Sequence, residues 1–102
     1  MARLNDLRIR SLKPSLSERW ISDGNGLYLR LRGDGASKVW FFRYTKNGKT
    51  KKLQLGPYPE TGLAEARIKT LELAKEHRSG LDPIEERKRR QEEELRKVAE
   101  RL

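Results

Sequence analysis

The sequence predicts an α+β fold: a small antiparallel β-sheet of three main strands packed on a helix, followed by a charged C-terminal linker helix. Three observations carry this. Leu27-Tyr28-Leu29-Arg30-Leu31-Arg32 alternates strictly between apolar and polar, the period of a strand buried on one face. Asn47-Gly48 stands between two strand-like runs, the strongest short-range hairpin signal. Beyond Leu55-Gly56-Pro57-Tyr58-Pro59 the apolar period becomes helical, with a break at Ser79-Gly80.

The first element is a short helix over Leu4 to Arg10. Asn5 is its N-cap, and Leu4 and Ile9 sit at the two positions of a hydrophobic staple. Pro14 biases Lys13 away from αR and limits this helix. Trp20-Ile21 lead into Asp23-Gly24-Asn25-Gly26, a turn cluster of residues that tolerate positive φ. In the strand that follows, Leu27, Leu29 and Leu31 face inward, while Tyr28, Arg30 and Arg32 face outward. Gly33-Asp34-Gly35-Ala36-Ser37 is a connecting loop without the Gly-Lys-Ser/Thr ending of a phosphate-cradling loop.

A two-residue turn at Asn47-Gly48 sets the register of the next two strands. Lys46 faces Lys49, Thr45 faces Thr50, Tyr44 faces Lys51 and Arg43 faces Lys52. Phe42 then faces Leu53, Phe41 faces Gln54 and Trp40 faces Leu55. Trp40, Phe42, Tyr44, Leu53 and Leu55 therefore share the core side with the three leucines. Phe41, Arg43, Thr45, Thr50, Lys52 and Gln54 share the other side with Tyr28, Arg30 and Arg32. Like charges oppose each other at Arg43/Lys52 and Lys46/Lys49. That costs some tenths of a kcal/mol per pair, by about the usual cross-strand amounts, unless an anion sits on them.

A helix starts near Leu63, with Gly62 as N-cap, Thr61 as the alternative cap and Glu65 at the third helical position. Ala64, Ile68 and Leu71, with Ala74, supply an apolar stripe to cover the sheet. Asp82-Pro83 with Glu85 reads as N-cap, first-turn proline and capping carboxylate of another helix. That helix has no apolar residue between Glu85 and Glu94, the pattern of a solvated connector. Leu95, Val98, Ala99 and Leu102 then form an apolar stripe in need of a partner, as in a chain that continues.

Charge and chemistry bound the function. The 102 residues carry a net +9, all of it in residues 1–56, where 13 basic side chains meet four acidic ones. Residues 57–102 hold 11 of each and are neutral. Such asymmetry points to a basic surface for a polyanion. No apolar run approaches the roughly 20 residues needed to span a bilayer, and no secretory signal follows Met1-Ala2-Arg3. This points to the cytoplasm, without membrane partners. With no cysteine and one histidine, His77, neither a thiolate nor a His-rich metal site can be built, and no cofactor is implied. Tyr28, Tyr44 and Tyr58 lack a base at motif-like spacing. His77 complements the dipole at a helix C-terminus. Catalytic residues are expected to be absent.

The segments LSERWISDGNGLYLRLRGDGASKVWFFRY, KKLQLGPYPETGLAEAR and SGLDPIEERK together resemble the N-terminal arm-type DNA-binding domain of tyrosine recombinases, the integrases of prophages and genomic islands. The marks are Ser22-Asp23-Gly24 with Gly26-Leu27-Tyr28-Leu29, the aromatic strand from Trp40 to Tyr44, Leu55-Gly56 with Tyr58-Pro59, Leu63-Ala64-Glu65-Ala66-Arg67, and Gly80 with Asp82-Pro83. Gly62 departs from a capping Ser frequent in the family. The resemblance implies that the free face of the sheet enters the major groove of arm-type sites flanking a crossover site, in support of DNA integration and recombination. It places strand exchange in a separate catalytic domain with its own Tyr nucleophile. Residues 1–81 would be the DNA-binding domain and residues 82–102 a linker helix toward core-binding and catalytic regions. Its partners would be double-stranded DNA, the remaining integrase domains and other integrase protomers, in a bacterial cytoplasm and on the nucleoid when bound.

The expected DNA-binding residues are Tyr28, Arg30, Arg32, Arg43, Thr45, Lys52 and Gln54 on the sheet, with Lys46 and Lys49 as phosphate grips at the hairpin tip. Charge alone equally allows a small RNA-binding protein that stacks bases on Tyr28 and Phe41. The C-terminal stripe alone allows an oligomerisation module.

Overall fold

The computed structural model describes residues 3–12, 17–32 and 37–102. Met1-Ala2, the Lys13-Pro14 boundary and all but Ser37 of the expected 33–37 loop lie outside the described residues. The elements run α1 (Asp6–Ser11), β1 (Arg19–Gly24), β2 (Leu27–Leu31), β3 (Lys38–Lys46), β4 (Lys49–Pro57), α2 (Leu63–Arg78) and α3 (Pro83–Glu100). The fold is α+β, and its sheet is an antiparallel meander in the order β1-β2-β3-β4.

The sheet thus has one strand more than the three main strands expected. Trp20-Ile21-Ser22 is too short and too irregular to announce itself as a strand, and it gains its ladder by pairing with β2. Its turn is a second Asn-Gly: Asn25 and Gly26 have φ 58° and 87°, as Asn47 and Gly48 have 53° and 77°. Two successive positive φ values are what a tight hairpin of this kind requires. A bulge between Ser22 and Gly24 leaves Asp23 as the extra residue, so that Trp20 opposes Arg30 and Ile21 opposes Leu29.

The β3–β4 register follows the Asn47-Gly48 turn from Lys46↔Lys49 through Phe41↔Gln54. It departs at the last expected pair, because Trp40 opposes Gly56 rather than Leu55. Leu55 is the extra residue of a bulge and still faces the core, at 7% exposure. The cause lies at Gly56, whose φ is 145° and where a Cβ would come within 2.2 Å of Thr61 Oγ1. Only glycine lets the chain turn there against Thr61. The Thr61 carbonyl in turn accepts the Trp40 indole N–H at 2.8 Å.

One face of the sheet makes the core. Leu27, Leu29, Trp40, Phe42, Tyr44, Leu53 and Leu55 are buried together with Leu4, Ile9, Leu63 and Ala66. Asn5 caps α1 by accepting the Arg8 N–H at 2.8 Å, and both staple residues, Leu4 and Ile9, reach this core. Removing each such side chain from water contributes about 1.5–3 kcal/mol.

Helix α2 covers that face in a different rotation from the one expected. Ala64, Ile68 and Leu71 point to solvent, the last two at 58% and 60% exposure. The buried stripe is Leu63, Ala66 and Thr70, continued by the partly buried Leu73, Ala74 and His77. Small residues at 66 and 70 let the helix approach the sheet closely. Arg67 fixes the rotation: its Nε and Nη2 donate to Asp23 at 2.9 Å, and Nη2 also donates to the Leu4 carbonyl at 2.8 Å. Gly62 is the N-cap and supplies no side-chain bond.

Asp82 caps α3 as expected, accepting the Ile84 N–H at 3.1 Å. Most of α3 is exposed, including Leu95 and Val98 of the C-terminal stripe. Arg90 on α3 pairs with Glu76 on α2 at 3.1 Å.

Candidate nucleic-acid interface

Alternation along four strands sends a second set of side chains to the side of the sheet opposite α2. The cross-strand pairs lay them out in rows. Trp20, Arg30, Val39 and Pro57 form one row. Ser22, Tyr28, Phe41 and Gln54 form the next, followed by Arg43 with Lys52 and by Thr45 with Thr50. Among the described residues, no helix packs on this side.

Three cations on this surface rest on aromatic rings. The Arg30 guanidinium lies 4.7 Å from the Phe41 centroid, and that of Arg43 lies 4.6 Å from the Tyr28 centroid. The Lys52 ammonium is 4.9 Å from the Trp20 centroid. Each contact is attractive because the ring face is electron-rich. The opposed Arg43 and Lys52 both also lie within 6.0 Å of the Trp20 ring, whose attraction offsets part of their repulsion. Phe41, expected on this side, is there but only 8% exposed, because Trp20 lies edge-on against it at 5.1 Å.

The sheet divides its basic residues between two tasks. Lys51, on the helix side, donates to Asp82 at 2.5 Å, and Lys38 donates to the Ile9 carbonyl at 2.9 Å. Lys46, expected as a phosphate grip, also points to the helix side and donates to the Gly80 carbonyl at 3.2 Å. It lies one residue beyond Thr45 in the alternation, so it and its cross-strand partner Lys49 both fall on the helix side, with Lys49 exposed at the tip. Among the described residues, Arg32, Arg43, Lys49 and Lys52 have no carboxylate within salt-bridge distance. Arg30 has one neighbour, Glu18, at 3.9 Å. The Nε atoms of Arg30 and Arg43 are buried and donate to nothing. An uncompensated cluster of this kind attracts an anion.

Of the expected residues, Tyr28, Arg30, Arg43, Thr45, Lys52 and Gln54 thus share one face. Arg32 follows the end of β2 and is exposed, and Lys49 is exposed at the hairpin tip. The sequence did not bring forward Trp20 and Glu18. The available signal was the second Asn-Gly turn, at 25–26, which implies a strand before it.

Apart from Glu18, the acids that contact the sheet sit away from this face. Asp23 is 3% exposed and accepts the Leu4 N–H at 2.8 Å as well as both Arg67 donors. Burial pushes its carboxyl up, but the Arg67 bonds and charge and the Leu4 N–H outweigh burial and hold it below the ordinary carboxylate value. Asp82 is held well below that value by the Lys51 and Tyr44 bonds. Burial and the Asp82 bond push the Tyr44 phenol up, so this tyrosine is deactivated as a nucleophile. His77 Nε2 lies 2.9 Å from the Thr45 carbonyl, to which it donates, and its ring tilts against Tyr44. It braces the hairpin against α2. Among the described residues, no three Asp, Glu or His side chains gather as metal ligands, and no helix is long and apolar enough to cross a membrane.

The profile of an arm DNA-binding domain matches residues 4–90. Over 81 residues the chain is 41% identical to the integrase of Shigella phage Sf6 and equally to the prophage integrase IntS of Escherichia coli (strain K12). Each alignment covers 79% of this chain and 21% of the relative. It is 35% identical over 83 residues to the integrase of Enterobacteria phage P4, again over 79% of this chain and over 19% of that protein. The chain therefore spans about a fifth of the length of the curated relatives it matches.

Proposed function

The chain belongs to the arm DNA-binding domain family, and from that premise we propose that it binds double-stranded DNA at arm-type sites through the open face of its sheet, as the non-catalytic part of an integrase. The observation that carries this reading is the division of basic residues. The helix side uses its cations internally, on Asp82, Asp23 and backbone carbonyls. The open face holds Arg30, Arg43 and Lys52 on aromatic rings with a single carboxylate nearby. A two-stranded ribbon or small sheet fits the major groove, where Arg forks pair with guanine edges and a Gln amide pairs with adenine. Arg30, Arg43 and Gln54 are the base-reading candidates, with Tyr28 and Thr45 beside them. Arg32, Lys49 and Lys52 grip phosphates. Lys46 is left out of the contact set.

The α3 helix, from Pro83, leads from this domain toward the remaining integrase domains, where the strand-exchange chemistry resides. The setting is bacterial DNA integration and recombination. An RNA ligand held by base stacking is disfavoured by the same face, because Trp20 covers Phe41 and Arg43 covers Tyr28.

Fluorescence anisotropy with three duplexes tests the proposal: DNA from the flanks of an integration site, its scrambled version and a matched double-stranded RNA. The flank DNA is expected to bind at least about tenfold more tightly than either control. About five phosphate contacts give a log–log salt slope near −4 to −5. Equal binding to all three would reduce the basic face to an electrostatic grip.

A further inference from the structure

The face proposed to meet DNA has at its centre a residue that its charge pattern does not reveal, Trp20. The guanidinium carbons of Arg30 and Arg43 each lie 6.0 Å from the indole centroid, and the Lys52 ammonium lies 4.9 Å from it. Three like charges around one ring repel one another, so a feature other than charge must hold them there. The indole attracts all three, and the Arg30 and Arg43 guanidinium carbons lie closer still to the Phe41 and Tyr28 rings, at 4.7 and 4.6 Å. The indole is itself anchored. Its edge meets Phe41, and its N–H donates to Glu18 Oε2 at 3.2 Å. The other Glu18 oxygen stands 3.9 Å from Arg30 Nε. The Nε of each arginine is buried without an acceptor, so ring packing, not a hydrogen bond through that atom, orients the forks.

We propose that Trp20 is the positioning residue of this face. It orders the Arg30 and Arg43 forks before DNA arrives and thereby sets discrimination between sequences rather than bulk affinity. The physical basis is preorganisation: a planar fork whose rotamer is already settled loses less freedom on pairing with a base edge. The inference rests on the DNA-binding reading above.

The test compares Trp20→Leu, which keeps an apolar cover over Phe41 without a ring, with Trp20→Phe, which keeps a ring. In the DNA-free protein, the Arg30 and Arg43 side-chain NMR signals are shifted by the neighbouring rings. They are expected to move toward ordinary arginine positions in Trp20→Leu and less so in Trp20→Phe. The duplex most enriched by the parent protein from a random-sequence library, and a scrambled version of it, then serve as probes. Trp20→Leu is expected to lose about tenfold of the preference for the enriched duplex. Its salt slope stays unchanged, because every cation remains. Trp20→Phe retains most of the preference. A merely structural role would weaken binding to both duplexes equally, in step with a lowered melting temperature, and would overturn the inference. So would arginine signals unmoved by Trp20→Leu. A parent protein that enriches no sequence overturns the DNA reading and this inference together. A discriminating parent with an equally discriminating Trp20→Leu protein overturns the inference alone.

Discussion

The two faces of the sheet are built from the same strands, and both mix aromatic with basic residues, yet they resolve that mixture in opposite ways. On the helix side Lys51 rests on Asp82, Lys38 on the Ile9 carbonyl and Lys46 on the Gly80 carbonyl, while Lys49, opposite Lys46 at the hairpin tip, is exposed. On the open side the cations rest on rings and wait. A buried charge without a partner would destabilise the fold, so the helix side must be closed electrostatically. On the open side the Arg30 side chain is only 16% exposed, but the ring faces attract the guanidinium charge, so this side can stay without a full set of carboxylate partners until an anion completes it. The difference separates residues that hold the domain together from residues available to a ligand.

The largest test of that separation removes the core's central side chain. Trp40→Ala is expected to cost about 3–5 kcal/mol of stability, read from urea unfolding. In a domain of ordinary stability, about 5–15 kcal/mol, this leaves little margin. An unfolding midpoint near that of the parent would mean that α2 and the sheet do not depend on this packing.

Next comes the clamp joining the N-terminus, the β1–β2 hairpin and α2. Asp23→Ala leaves Arg67 and the Leu4 N–H without their acceptor. A loss of about 2–3 kcal/mol is expected, below the full cost of a buried pair because the Arg67 side chain is 35% exposed.

The open face should respond in the opposite sense. Arg43→Ala and Arg30→Ala are each expected to weaken binding to the enriched duplex by about 1–3 kcal/mol. Stability should fall by less than in Asp23→Ala, by about the 0.5–1 kcal/mol of a lost cation–ring contact. A large drop in melting temperature with unchanged affinity would erase the distinction between the faces.

Acid offers a smaller and graded test. Asp23 and Asp82 have carboxyls held below their unfolded value of about 3.9. Their contribution is therefore complete above that value and is lost as pH falls through the lower folded values. Stability measured from pH 6 downward, on the order of a few pH units, should fall below about pH 4, and less steeply in Asp82→Asn. On the alkaline side Tyr44, pushed up from about 10, gives stability that is complete below that value and is lost as pH rises beyond it.

The smallest effect sharpens the comparison most. Lys46→Ala removes a positive charge that is tied to the Gly80 carbonyl, whereas its cross-strand partner Lys49 is exposed at the hairpin tip. It should weaken DNA binding less than Lys49→Ala, by under about 0.5 kcal/mol. The opposite order, read in parallel salt titrations, would return Lys46 to the contact surface.

Much of this was legible in the chain itself. Local chemistry determined the α+β class, the caps at Asn5 and Asp82, the alternation of Leu27 to Arg32 and the pairing around Asn47-Gly48. In each case the deciding interaction lies within a few residues. The open-face positions of Arg30, Arg43, Lys52 and Gln54 follow from that same pairing, because side-chain direction alternates with a period of two. Tertiary structure alone decided three further points. The rotation of α2 follows Arg67 reaching Asp23, across 44 residues of sequence, and this overrides the apolar stripe of Ile68 and Leu71. The oxygen that Lys46 reaches on the side its alternation dictates, the Gly80 carbonyl, depends on the corner between α2 and α3 lying near the hairpin. The placement of Trp20 depends on the bulge at Asp23: a regular two-residue hairpin would oppose Trp20 to Leu31 and turn it inward. One added residue reverses that parity. The acid that defines the bulge is held by Leu4 and Arg67, so contacts distant in sequence put the indole among the arginines.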